Sequence, residues 1–119
     1  MPAMPDPSPS TSRWLVLDGR VLATLEVAET RRARGRGLLG RDGIEGALLL
    51  RPARSVHTVG MRFPIDVAHL DGDLTVLRTA TMVPNRVGRV VWRSRGVLEC
   101  EAGTLDRWGV KVGDRLEVR

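Results

Sequence analysis

From position 13 onward the chain alternates between short apolar runs and turn residues. Residues 14–17 form the first run, Asp18-Gly19 follows, and residues 21–28 resume the pattern. Asp-Gly supplies the positive φ of a tight turn, so the two runs predict a β-hairpin. In the second run Val21, Ala23, Leu25 and Val27 fall on one face, with Thr24 and Glu26 on the other, as in a half-buried strand. Thr30 can cap a short helix from Arg31 to about Leu39 that stops at Gly40. Gly35 and Gly37 each cost about 1 kcal/mol relative to Ala inside a helix, so this one depends on packing. Residues 46–50 read as a buried strand closed by Pro52, residues 55–61 as extended or turn-like, and residues 64–70 as the next strand. Asp71-Gly72 predicts a second hairpin turn into a strand over 74–83. After a loop at 84–89 come a strand at Val90-Val91-Trp92 and another over 97–102. Thr104 caps a single helical turn through Trp108, ended by Gly109, and Gly113-Asp114 leads to a last strand over 116–118. Seven or eight short strands at regular spacing predict a mainly β fold: a small antiparallel β-sandwich or partly open barrel with one or two short helices.

Residues 1–12 break this pattern. They hold four of the seven prolines together with Ser and Thr, and no apolar periodicity, so they read as a disordered tail ahead of a single β-rich domain over 13–119. The 119 residues suit one domain, large enough to form a core without a disulfide or metal staple. With three Trp, one Phe and no Tyr, that core is built from Val, Leu, Ile and Ala. Cys100 is the only cysteine, which excludes an intramolecular disulfide and a cysteine metal cluster and suits a reducing cytoplasm. The N-terminal residues lack the basic start and apolar stretch of a signal peptide. No apolar run approaches the roughly 20 residues of a spanning helix, so no membrane role is expected.

Charge adds an asymmetry. The net charge is +5, but residues 31–62 carry +6 and residues 86–95 carry +4, leaving −5 for the rest. Such segments attract polyanions. Eighteen of the 19 basic residues are Arg, however, in a chain rich in Ala, Val and Gly. That is the composition a GC-rich coding sequence produces by itself, so the surplus reads first as composition.

Several segments, in order, resemble the domain of unknown function 192 family of bacterial and archaeal proteins. They are Arg34-Gly35-Arg36-Gly37-Leu38-Leu39-Gly40-Arg41, Gly46, Phe63-Pro64-Ile65-Asp66-Val67, Val97-Leu98-Glu99-Cys100-Glu101-Ala102-Gly103 and Gly109-Val110-Lys111-Val112-Gly113-Asp114. Where that family often carries an aromatic-Trp-Met-Lys-Asn-Thr run, this chain has Val56-His57-Thr58-Val59-Gly60-Met61, so no role of that Trp, Lys or Asn transfers. The resemblance implies a β-rich fold and no assigned activity.

Arg41, His57, Thr58 and Asp66 lie in or beside these segments. Together they offer a cation, an imidazole, a hydroxyl and a carboxylate, a set expected to converge on one concavity and bind a ligand. The plainer alternative is that Arg41 and Asp66 brace the fold. Two histidines twelve residues apart give no metal-ligand spacing, and no cofactor motif is present. His69 is expected to be a packed, hydrogen-bonded core residue. Leu98, Cys100 and Ala102 should face the core, with Glu99 and Glu101 facing outward. The sequence thus favours a non-catalytic domain, a monomer or weak dimer, that binds a small polar ligand or a protein partner. The alternatives are a non-specific nucleic-acid or polyanion binder using the Arg-rich surface, and a hydrolase-like enzyme using His57 and Asp66. It leans against an enzyme without deciding the point.

Overall fold

A computed structural model describes residues 13–119; the expected tail lies outside the described residues. Seven strands form one curled sheet, a half-barrel, in the order β5-β4-β6-β3-β2-β1-β7. They are β1 Arg13–Leu17, β2 Arg20–Ala28, β3 Ala47–Leu50, β4 Ile65–Leu70, β5 Val76–Met82, β6 Gly96–Glu101 and β7 Leu116–Val118. Two short helices complete the fold, α1 Arg31–Arg36 and α2 Thr104–Trp108. Of the two architectures expected, the open barrel is the one adopted: a single sheet curls, and among the described residues no second sheet faces it.

The Asp18-Gly19 turn forms as the sequence predicts, with φ of 51° and 75° at its two residues, and it joins β1 to β2 in an antiparallel pair. The purely antiparallel expectation fails at one place. β2 and β3 run parallel, because α1 carries the chain back to start β3 from the same end, a βαβ crossover. Thr30 caps α1 as expected, its hydroxyl accepting from the Ala33 amide at 3.0 Å. The helix ends three residues earlier than the sequence suggests. Gly37 takes φ 48°, outside the helical region, and its N–H closes on the Ala33 carbonyl at 3.0 Å. α1 buries none of its own residues, and the chain is anchored just beyond it by Leu38.

α2 is not capped by Thr104. Gly103 occupies the cap position without a side chain to offer, and a carboxylate from β4 does the work instead. Val90-Val91-Trp92 is not a strand. Val90 and Trp92 are exposed; the Val91 amide donates to the Arg54 carbonyl and its carbonyl accepts from the Ser94 amide, each at 2.9 Å, a turn rather than a ladder.

Both faces of the sheet are covered. Inside the curl, Leu15, Leu25, Leu49, Leu70, Leu98 and Cys100 pack with Leu105, Val110 and Leu116. On the outer face Leu48, Leu50, Ile65, Val67, Val97 and Met82 pack beneath Leu38, Met61 and Phe63. β4 is buried at every residue and β6 at every residue but its last. Two-sided burial overturns part of the strand reading. Leu98 and Cys100 face the inner core as expected and Glu101 is exposed, but Glu99 is buried on the outer face.

Burial pushes the Cys100 thiol up to about 12, with nearby Asp66 adding to the effect. Since the thiolate is the reactive form, Cys100 is expected to resist a maleimide in native buffer and to label fully only in denaturant, as read by mass spectrometry.

Candidate functional site

The register of the sheet builds the site. Glu26, Leu48, Glu99, Val67 and Ala80 lie opposite one another across five neighbouring strands, so their side chains share the outer face. Glu99 occupies the middle of that row. It is 3% exposed, and its Oε1 has no hydrogen-bond partner. Burial raises its carboxyl to about 7, against an opposing pull from the Arg41 guanidinium.

Above Glu99 lies a cavity of about 340 Å3, within the range of small-molecule sites. Leu38, Leu50, Ala53 and Met61 give it apolar walls, and Arg31, Arg34, Arg36 and His57 stand around it. Arg34 is braced across the opening by a 3.1 Å hydrogen bond to the Pro52 carbonyl. Gly37 lies over the carboxyl, whose Oε1 is shut off from solvent. A Cβ on Gly37 would lie 3.6 Å from Glu99 Oε1, and φ 48° is strained for any L side chain, so the helix end passes over the acid as bare backbone.

The four residues singled out by sequence do not gather in one place. Arg41 lies on the same outer face, where it pairs with Glu26 at 2.9 Å and 3.4 Å and acts on Glu99 through its charge. His57 lines the Glu99 cavity, its Nδ1 accepting from the Val59 amide at 3.2 Å. Thr58 is fully buried. Its hydroxyl donates to the Val83 carbonyl at 2.7 Å and accepts from the Arg86 amide at 2.9 Å, which leaves it no role at a cavity.

Asp66 is on the opposite face. It sits across from Cys100 and Thr81, accepting from Thr81 Oγ1 at 2.7 Å and from the Gly103 and Leu105 amides at 3.0 Å and 3.2 Å. It is the cap of α2, a distant carboxylate satisfying the first free amides of the helix. His57 and Asp66 therefore cannot work as a pair. Among the described residues no group of three or more His, Cys, Asp or Glu could hold a metal ion, and no helix is long and apolar enough to cross a membrane.

Glu99 is the residue sequence reasoning missed. A signal was present: Ala47-Leu48-Leu49-Leu50 and Val97-Leu98 are unbroken apolar runs, which a strand wet on one face does not need.

The model of the domain of unknown function 192 family, described as uncharacterized ACR, matches residues 15–118. Among solved structures the chain is similar to a protein of unknown function from Novosphingobium aromaticivorans, at 22% identity and a TM-score of 0.77, covering 98% of this chain and 92% of that one. It is also similar to a Sinorhizobium meliloti protein described as a "putative transcription regulator", at 28% identity and a TM-score of 0.74, covering 90% and 92%. Comparison with curated proteins gives no match.

Two outcomes follow from the two carboxylates. Asp66→Ala leaves three donors without their acceptor and is expected to destabilise the fold by about 3 kcal/mol in urea unfolding. Glu99 acts through pH. Its folded value near 7 lies above its ordinary 4.5, so the folded state holds a proton the unfolded state releases. Stability is complete below the unfolded value and is lost as pH rises through 7, by up to about 3 kcal/mol. Glu99→Gln is expected to flatten this pH slope between pH values of roughly 5 and 8.

Proposed function

The chain belongs to the domain of unknown function 192 family, which has a fold and no assigned activity, and on that premise we propose that it is a non-catalytic binding domain for a small amphipathic molecule. The observation that carries this reading is the unpartnered, buried Glu99 carboxyl at the floor of an apolar-walled cavity. A buried polar atom without a partner costs about 1–3 kcal/mol, which a ligand group hydrogen-bonded to it recovers. Near neutral pH the carboxyl exchanges between a protonated form that donates and an ionised form that accepts, so a ligand hydroxyl suits both. Arg31 and Arg36 are exposed at the opening and take part in no ion pair among the described residues. They favour a negative group at the ligand's outer end. The ligand class is therefore a short chain with a carboxylate at one end and a hydroxyl at the other.

Binding without catalysis is preferred because Glu99 has neither a nucleophile nor a second acid hydrogen-bonded to it, whereas general acid–base work needs a positioned partner. A recessed acid also argues for a small molecule over a protein partner, whose side chains reach such a floor less readily. The lone, buried thiol of Cys100 supports placing the domain in a reducing compartment, the cytoplasm.

The test compares ω-hydroxyhexanoate with hexanoate by NMR titration of the full chain. The hydroxy acid is expected to bind about tenfold more tightly, one hydrogen bond's worth, with shifts centred on Leu38, Leu50 and Ala53. Glu99→Leu should erase that preference while hexanoate still binds. Equal binding of the two acids to the native chain, or a preference that survives Glu99→Leu, would rule the reading out.

A further inference from the structure

A second cavity, of about 320 Å3, opens between β4, β5 and the loop that follows β5. At its floor is His69, 1% exposed, with no hydrogen bond of full geometry at Nδ1 or Nε2 and the Arg89 backbone as the one partner near the ring. The sequence reading expects a packed, hydrogen-bonded core histidine; the packing is there, and the hydrogen bonding is reduced to that one backbone approach. An imidazole carries at least one N–H in every state, and leaving it buried and unpaired costs about 1–3 kcal/mol. Burial lowers the pKa of His69, and the charge of Arg78 lowers it further against the pull of the Arg89 backbone, so the ring is held toward its neutral form.

Three arginines line the recess. Arg78 stands directly opposite His69 in the β4–β5 register, and Arg86 and Arg89 enter from the loop. None of the three is in an ion pair among the described residues, and no Asp or Glu lines the cavity. The loop is fixed in place: the Thr58 amide donates to the Arg86 carbonyl, and the Gly88 amide to the Val56 carbonyl, each at 2.8 Å. Guanidinium forks match the oxygens of a phosphate and bind them bidentately. A single carboxylate would leave most of this positive charge unanswered, whereas a phosphate monoester carries nearly two negative charges.

We propose that this cavity is a binding site for a phosphate group carried on a small molecule, with Arg78, Arg86 and Arg89 holding its oxygens and the His69 N–H donating from the floor. The site is separate from the Glu99 cavity: no residue lines both.

The test titrates the full chain with inorganic phosphate, phenyl phosphate and benzoate at constant ionic strength, following the ring nitrogens of His69 by NMR. Saturable binding of both phosphates that moves the His69 signals is expected, with benzoate at least about tenfold weaker. Arg89→Gln, on the exposed loop, should weaken phosphate by about tenfold or more, while Arg93→Gln, which lines neither cavity, should not. If His69→Phe folds, it should bind phosphate more weakly than the native chain. Unmoved ring signals, benzoate binding equal to phenyl phosphate, or an Arg89→Gln variant that binds like the native chain would each overturn the proposal. A random single-stranded oligonucleotide that binds through these arginines while phenyl phosphate does not would also overturn it, assigning the surface to a nucleic-acid backbone.

Discussion

Strands β4 and β6 are packed on both faces, and this two-sided burial sets the terms for every polar group they carry. A side chain in either strand leaves water whichever way it points, so a titratable one must find a partner inside or bear an unpaired group. Asp66, His69 and Glu99 are the three titratable side chains placed under that constraint with oxygen or nitrogen to satisfy. They meet it differently. Asp66 points to the inner face, where α2 begins, and its oxygens are taken up by a hydroxyl and two amides. His69 and Glu99 point to the outer face, which α1 and the loops cover less completely, and both keep unpartnered atoms. Each of those two opens onto a cavity. The unsatisfied atoms and the concavities coincide because both arise where the cover over the outer core is incomplete.

Thr58 holds the cover together. Its amide, carbonyl and hydroxyl all bond to the segment between Val83 and Arg86, and the Val56 carbonyl takes the Gly88 amide. His57 and Val87 form an isolated bridge within the same ribbon. Val56 and His57 line the Glu99 cavity, and Val87 and Gly88 line the His69 cavity. The ribbon is thus a wall common to both. A residue picked out by sequence as a ligand-binding hydroxyl instead fixes the geometry of two recesses without facing either.

How much of this was legible from the chain follows from which forces are local. The hairpin at Asp18-Gly19, the Thr30 cap and the Gly109 helix stop are set by neighbours in sequence, and the pattern reveals them. The parallel β2–β3 pair, the capping of α2 by Asp66 and the burial of Glu99 depend on contacts across tens of residues, and no local signal encodes them. Val90-Val91-Trp92 failed as a strand for the same reason: strand propensity is realised only against a neighbour, and among the described residues these three pair with no strand. His57 and Arg41 were found on the cavity's side of the sheet and Asp66 on the other, since chemical type alone carries no information about face. The apolar runs of β3 and β6 did hold that information, because a two-sided strand gives up the alternation that a half-buried one needs.

The arginine surplus can be sorted in the same way. Composition accounts for the number of arginines but not for where they stand. Arg41, Arg51, Arg62 and Arg119 are neutralised by carboxylates, and Arg20, Arg34, Arg54 and Arg115 are tied to backbone carbonyls. Arg31 and Arg36 at one cavity, and Arg78 and Arg89 at the other, have neither kind of partner among the described residues, and neither do Arg32, Arg93 and Arg95, which line neither cavity. Arg86 bonds only the carbonyl of its neighbour Asn85, at 3.3 Å. Like charges held around a recess repel one another, and low-dielectric walls concentrate their field over the opening. What sets the cavity arginines apart is therefore their position and not their lack of partners. These stand around two concavities whose floors carry unsatisfied polar atoms, and an anion entering either one relieves the repulsion at the rim while its own polar groups answer the floor.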